Sequence, residues 1–136
     1  MKFETAKILV VDDDPVISRF VVRTLERLGV KAIEVCHDVN AAVQLMASFL
    51  PDVILTDIHM KPIGGIEFVQ RLRSHKNPSL RQIPVIFMSA DSSRETLKSA
   101  LPLGSVGYIV KPPRLEVVKT KLEQALNIED QDFERW

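Results

Sequence analysis

The sequence contains a single cysteine, Cys36, so no disulfide can form within one molecule. It has no excess of basic residues, because Lys and Arg number 18 and so do Asp and Glu. The basic surface typical of nucleic-acid-binding proteins is therefore not expected. No apolar run approaches the roughly 20 residues of a membrane-spanning helix, and the first residues lack the apolar region of a secretory signal. These absences predict a protein of the reducing cytoplasm that binds neither a membrane nor nucleic acid directly.

What is present is a regular alternation of short apolar runs with helical patterns. The runs predict five buried strands at residues 7–11, 30–35, 53–57, 84–88 and 107–110. Alternating strands and helices predict an α/β fold, a flavodoxin-like doubly wound parallel sheet, (βα)5, with strand order 2-1-3-4-5. We expect one domain over residues 1–127, and a short tail over residues 128–136 that contains Phe133 and Trp136.

The spacing of apolar residues predicts the buried face of each helix. The first helix opens at Pro15 and stops at Gly29, and its predicted buried residues are Ile17, Phe20, Val21, Leu25 and Leu28. The second is capped by Asp38 or Asn40, and its predicted buried residues are Val39, Val43, Met46 and Leu50. A surface loop is expected from His75 to Gln82, around Pro78, and a short fourth helix between Asp91 and Leu101.

Reactive side chains follow four of the predicted strands. Asp12 and Asp13 follow the first strand, Asp57 ends the third, Ser89 follows the fourth and Lys111 follows the fifth. The carboxyl ends of parallel strands share one edge of the sheet, so we expect these groups to meet there. Three close carboxylates raise one another's pKa, and a hard cation such as Mg²⁺ relieves that repulsion.

The lysine and the serine shift the interpretation from metal binding to phosphoryl chemistry. Asp57 can attack phosphorus as a carboxylate nucleophile, and Mg²⁺, an ammonium and a hydroxyl complement the charge of the transferred group. Taken singly, each residue also has a plain structural explanation. The acidic run can cap the next helix, and Asp14 is expected to do so; Ser89 can be a turn residue, Lys111 a solvated one and Tyr108 an ordinary aromatic.

Taken together, four segments of the chain resemble the receiver domain of two-component response regulators, in the layout of the single-domain chemotaxis regulator. The segments are Ile8-Leu9-Val10-Val11-Asp12-Asp13, Asp57 with Met60, Ser89-Ala90, and Tyr108-Ile109-Val110-Lys111-Pro112. The gaps between Asp13, Asp57, Ser89 and Lys111 are 44, 32 and 22 residues, which fit that layout. The resemblance covers roughly residues 5 to 127.

The resemblance implies that Asp57 is the phosphoacceptor, supplied by a histidine kinase, a phosphotransfer protein or a small acyl phosphate. It implies an Mg²⁺ site made by Asp12, Asp13, Asp57 and the backbone carbonyl of His59. Such a domain is a switch and no enzyme beyond its own phosphoryl transfer and autodephosphorylation. Its output goes to an unidentified protein partner through the fourth helix, fifth strand and fifth helix, and we expect a monomer or weak dimer.

Further roles follow from the same resemblance. Lys111 contacts the phosphoryl group, and the Lys111–Pro112 peptide bond is cis. Ser89 is the switch hydroxyl, and Tyr108 is the aromatic that turns inward with it. We also predict that His59 and Asp91, two residues beyond Asp57 and Ser89, tune the lifetime of the phosphoryl group.

Three other functions remain as alternatives on the same fold. A phosphorylation-independent adaptor would keep the fold and abandon the chemistry. An aspartyl-phosphate phosphatase of the haloacid-dehalogenase type needs a second aspartate at the position of His59, which argues against it. A flavin carrier needs a glycine- and hydroxyl-rich loop after the first strand, where Asp12-Asp13-Asp14 would repel the phosphate.

Overall fold

A computed structural model describes residues 1–90, 95, 96, 98 and 105–128. Within that part of the chain, five parallel strands form one sheet in the order β2-β1-β3-β4-β5. The strands are β1 Lys7–Val11, β2 Ala32–Cys36, β3 Val53–Asp57, β4 Val85–Ser89 and β5 Gly107–Val110. The predicted doubly wound sheet is confirmed, and β2 begins two residues later than expected.

The helices cover both faces of the sheet. The α-helices that lie wholly within the described residues are α1 Pro15–Arg27, α2 Val39–Phe49, α3 Gly65–Arg73, the one-turn α4 Pro78–Arg81, and α5 Leu115–Leu126. The loop predicted from His75 to Gln82 is wrong in part: residues 78–81 form the helical turn α4, and Leu80 within it is buried. The fourth helix predicted between Asp91 and Leu101 is a different segment from α4. Most of that predicted helix lies outside the described residues, and so do tail residues 129–136. Among the helices described, none is long and apolar enough to cross a membrane.

Side-chain caps explain why α1 and α2 begin where they do. One Asp14 carboxylate oxygen accepts hydrogen bonds from the main-chain N–H groups of Val16 at 2.9 Å and Ile17 at 3.3 Å. Asp38 accepts from the N–H of Ala41 at 2.7 Å. These bonds satisfy donors that the first turn of a helix leaves without partners. The cap predicted at Asp14 is confirmed, and each helix starts within a few residues of a strand end.

In the part of the chain that is described, the hydrophobic core forms two clusters, one on each side of the sheet. One includes Phe68 and Phe87 and lies under α2 and α3, and the other includes Leu25 and Leu122 and lies under α1 and α5. All residues of β3 and β4 are buried, as expected for central strands of a parallel sheet.

Three residues predicted in the core are instead exposed: Phe20 by 48%, Val43 by 54% and Leu50 by 49%. On α2 the buried stripe runs through Val39, Ala42 and Met46, so Val43 is rotated away from the sheet. Leu50 follows the last helical residue in the left-handed conformation, with φ of 51°, so the helical period no longer applies to it. On α1 the buried stripe runs through Ser18, Val21, Thr24 and Leu25, and Phe20 faces outward.

The two phenylalanines of α1 and α3 give a matched test of the core. Phe68→Ala should lower the free energy of unfolding by about 3–5 kcal/mol, because it leaves a cavity between α3 and the sheet. Phe20→Ala should change it by less than about 1 kcal/mol, because that side chain is already half exposed. Urea denaturation of both variants measures the difference. Equal losses would contradict the placement of the two helix faces.

Candidate functional site

The sheet register brings the ends of four strands to one edge. Asp12 follows β1 and Asp57 ends β3, which pairs directly with β1. Ser89 ends β4 and lies opposite Val110, the residue before Lys111. The main-chain N–H of Lys111 donates to the carbonyl oxygen of Ser89 at 2.9 Å. The four side chains singled out in the sequence therefore lie on neighbouring strands.

The Lys111 ammonium lies between two buried carboxylates. Its Nζ is 2.6 Å from Oδ2 of Asp12 and 3.0 Å from Oδ2 of Asp57. The side chains are 10%, 0% and 9% exposed, respectively. Charges removed from water are costly unless they are paired, and loss of one partner leaves a buried charge without compensation. Lys111 therefore pairs with both buried acids at once.

Burial and charge shift the pKa of two of these groups. Burial raises the pKa of Asp57, and Asp12 adds to that effect, whereas Lys111 and the His59 amide lower it; the pKa remains raised overall. Burial by itself lowers the pKa of Lys111. The hydrogen bonds and negative charges of Asp12 and Asp57 outweigh burial, so the pKa of Lys111 is raised. The ammonium therefore stays charged at neutral pH.

Three carboxylates converge beside this lysine. One oxygen from each of Asp12, Asp13 and Asp57 lies within 4.8 Å of the other two. Asp12 and Asp57 are buried, and Asp13 is exposed at the edge. Carboxylate oxygens are the ligands that Mg²⁺ prefers, and an edge open to solvent allows the ion to keep several waters. The donor set fits a hard divalent cation.

An open cleft of about 460 Å³ adjoins the acids. Its lining residues are Asp13, Asp14, Ile17, Asp57, His59, Ser89, Ala90, Lys111 and Pro112. Ser89 is buried at its floor and His59 is exposed at its edge, where the His59 N–H donates to Oδ1 of Asp57 at 3.3 Å. The cleft therefore offers space in front of Asp57 for a small charged group.

The remaining predicted residues lie around this cleft or outside the described residues. Tyr108 is half-buried and packs against the core cluster under α2 and α3. The Lys111–Pro112 peptide bond is cis, and so is Lys61–Pro62, for which the sequence analysis made no prediction. Asp91 lies outside the residues described.

Gly65 shows why α3 can begin directly beneath Asp57. A Cβ atom at this position would overlap the main-chain oxygen of Asp57. The Gly65 N–H donates to the carbonyl oxygen of Ile58 at 2.8 Å, which closes the loop that carries His59. Glycine permits this close backbone approach because it lacks a side chain. The sequence analysis made no prediction for this contact.

His37 is a second residue that the sequence analysis missed. Its Nδ1 lies 2.9 Å from the carbonyl oxygen of Asp12, while the Asp12 N–H donates to the carbonyl oxygen of Cys36 at 3.0 Å. The partner is a backbone atom, which leaves no signal in the sequence. The end of β2 thus holds both main-chain polar groups of Asp12.

Comparison with known proteins agrees with this geometry. Residues 8–123 match the family described as "Response regulator receiver domain". The chain belongs to the response regulator receiver domain family.

Its relatives include chemotaxis proteins. The receiver domain is 35% identical over 125 residues to "Chemotaxis protein CheY1" of Helicobacter pylori, covering 91% of this chain and 99% of that one. It is 35% identical over 121 residues to "Chemotaxis protein CheY homolog" of Campylobacter jejuni, covering 88% and 92%. The solved structure of the chemotaxis response regulator CheY4 of Vibrio cholerae matches with a TM-score of 0.78 at 29% identity, covering 89% and 98%. Membership in this family is consistent with phosphorelay signalling.

The raised pKa of Asp57 predicts a pH-dependent effect of its replacement. A carboxyl whose pKa is higher in the folded state destabilises the fold as pH rises from its unfolded pKa to its folded pKa, and the full cost persists above that window. In a metal chelator, Asp57→Asn should therefore unfold at higher urea than the unmodified domain at pH 7.5. The gain should shrink as pH falls from the raised pKa of Asp57 toward the ordinary aspartate pKa, and it should be absent below the latter. Asp52→Asn, at the opposite end of β3, is the control, and the same pattern there would contradict the assignment.

Proposed function

We propose that this receiver domain accepts a phosphoryl group on Asp57 from a histidine kinase, a phosphotransfer protein or a small acyl phosphate. The observation that carries the proposal is the placement of the Lys111 ammonium 3.0 Å from the Asp57 carboxylate, at the edge where three aspartates converge. That arrangement offers a nucleophile, a cation and a divalent-metal site on one cleft. Asp12, Asp13, Asp57 and the His59 carbonyl would hold Mg²⁺.

The transfer step follows from these groups. An oxygen of Asp57 forms a bond to phosphorus while the bond from phosphorus to the donor nitrogen or oxygen breaks. The electron pair leaves with the donor, which takes up a proton from solvent where its basicity requires one. Mg²⁺, when bound, neutralises charge on the phosphoryl oxygens. Lys111 contributes a second positive charge, and the Ser89 hydroxyl donates to a phosphoryl oxygen.

Hydrolysis of the aspartyl phosphate would return the domain to its unphosphorylated state. A water molecule attacks phosphorus, the bond to Asp57 breaks, and inorganic phosphate leaves with the carboxylate restored. Water must approach from the open cleft, on whose edge His59 lies. The domain thus acts on its own phosphoryl group, and we propose no reaction on another substrate.

Signalling requires that the phosphorylated site favour one of two conformations. The aspartyl phosphate would bind Ser89 and Lys111 better in one state, and Tyr108 would move with Ser89. The output surface would include β5 and α5, where Val110 and Val117 are exposed apolar residues. An unidentified protein partner is proposed to read that surface, and the predicted cytoplasmic location suits this role.

Phosphorylation can be tested directly by intact mass. Incubation with Mg²⁺ and acetyl phosphate should add the mass of one phosphoryl group, because Asp57 is the nucleophile that faces the cleft. Asp57→Asn should gain nothing, whereas the control Asp52→Asn should be modified like the unmodified domain. Absence of a gain with acetyl phosphate and with every histidine kinase tried would overturn the proposal and favour the phosphorylation-independent adaptor.

Separate replacement of the adjacent residues Asp13 and Asp14 distinguishes a metal ligand from a helix cap. Asp13→Asn should weaken Mg²⁺ binding by at least about tenfold, because it removes one charged ligand from the edge of the site. Asp14→Asn should bind Mg²⁺ like the unmodified domain and keep its stability, since asparagine also caps helices well. Isothermal titration calorimetry measures both affinities. Equal affinities in the two variants would rule out Asp13 as a ligand.

The exposed edge of the cleft should control how long the phosphoryl group lasts. His59→Gln changes the side chain at the point where water enters, so the dephosphorylation half-life should change by about threefold or more. His75→Gln, far from the cleft, is the control. Decay of the phosphorylated mass after removal of acetyl phosphate gives the rate. Asp91 is proposed for the same role, and identical decay in the His59 variant would remove His59 from it.

A further inference from the structure

The end of β2 supports the acidic site through a side chain. In a continuing parallel ladder, the carbonyl of Asp12 would accept from the main-chain N–H of Asp38. The chain turns into α2 at this point, and Asp38 becomes the cap of that helix. The ring of His37 lies against the Asp12 carbonyl instead, with Nδ1 at 2.9 Å from the oxygen.

We propose that His37 is a positioning residue for the metal site. Its Nδ1–H holds the Asp12 carbonyl and thereby fixes the plane of the peptide that joins Asp12 to Asp13. The orientation of that plane sets the direction in which the Asp13 carboxylate leaves the backbone. The inference rests on the proposed function, because it concerns Mg²⁺ binding at the same acids.

The three acids differ in how much support they have. Asp12 is buried, with one oxygen 2.6 Å from Lys111 Nζ and the other accepting from the Asp14 N–H at 2.9 Å. Asp57 ends a fully buried strand. Asp13 is exposed on the loop after β1, so burial does not hold it, yet its oxygen lies within 4.8 Å of the others. A fixed peptide plane supplies the constraint that Asp13 needs.

The chemistry of the contact assigns the tautomer of His37. A carbonyl oxygen can only accept, so Nδ1 of His37 must carry the proton. His75 provides the opposite case, because its Nδ1 accepts from the main-chain N–H of Asn77 at 3.0 Å. Its proton must then lie on Nε2 when the ring is neutral. His75 therefore serves as a control for the tautomer of His37 within the same protein.

Nitrogen-15 NMR of the metal-free domain, at a pH where both rings are neutral, tests the contact itself. We expect the Nδ1–H tautomer for His37 and the Nε2–H tautomer for His75. The Nε2–H tautomer at His37 would overturn the proposal. This readout needs neither Mg²⁺ nor phosphorylation, so it does not depend on the proposed function.

Calorimetric titration with MgCl₂ tests the consequence. His37→Leu removes the donor and should weaken Mg²⁺ binding by about tenfold, as loss of an outer partner of a metal ligand commonly does. His37→Asn places an amide N–H at the same distance from the backbone and should restore most of the affinity. His75→Leu should bind like the unmodified domain. Urea denaturation shows that each variant is folded under the titration conditions.

The titration results distinguish failure of the positioning role of His37 from failure of the proposed function. Unmodified protein that binds Mg²⁺, together with a His37→Leu variant that binds equally well, would overturn the positioning role and leave the proposed function standing. A His37→Asn variant as weak as His37→Leu would also overturn it, because a donor at that place would then not suffice. Unmodified protein that binds no Mg²⁺ would overturn the proposed function itself.

Discussion

The site depends on one interaction, the ion pairing of the Lys111 ammonium with the carboxylates of Asp12 and Asp57. Two buried acids on neighbouring strands repel each other and have lost hydration, and this cation offsets part of both costs. Its single charge cannot balance Asp12, Asp13 and Asp57 together. The remaining negative charge faces an open cleft, and that imbalance suits a divalent cation and then a phosphoryl group.

The fold divides the site into a fixed floor and an accessible edge. Asp12, Asp57 and Ser89 lie at the ends of central strands and are buried. Their positions follow from the sheet ladder and from the two core clusters beneath it. Asp13 and His59 lie on loops and are exposed. The buried groups can hold the reacting atoms in place, while the loop residues admit ions and water from solvent.

The energetic cost of burying the Asp57 carboxylate bears on whether the domain could be a phosphorylation-independent adaptor. Burial raises the pKa of Asp57, so the folded state disfavours its ionised form. An adaptor that used only the outer surface of the fold would gain nothing from such a group. Groups that lower stability and cluster beside an open cleft are typical of functional sites. The physical chemistry of the site therefore favours phosphoryl transfer over a purely structural role.

Local patterns in the sequence determined the five strands, their alternation with helices, and the identity of the groups at the strand ends, because apolar runs, breakers and caps act over a few residues. They predicted the cap at Asp14, but they misplaced Phe20 and Val43, since the face of a helix that meets the sheet depends on packing. Only the tertiary structure decided that Lys111 contacts both acids, that Gly65 packs on Asp57, and that His37 holds the Asp12 carbonyl. The contacts of Lys111 and His37 join segments far apart in the chain. Those of Gly65 and His37 involve backbone atoms, which every residue possesses and no sequence pattern marks.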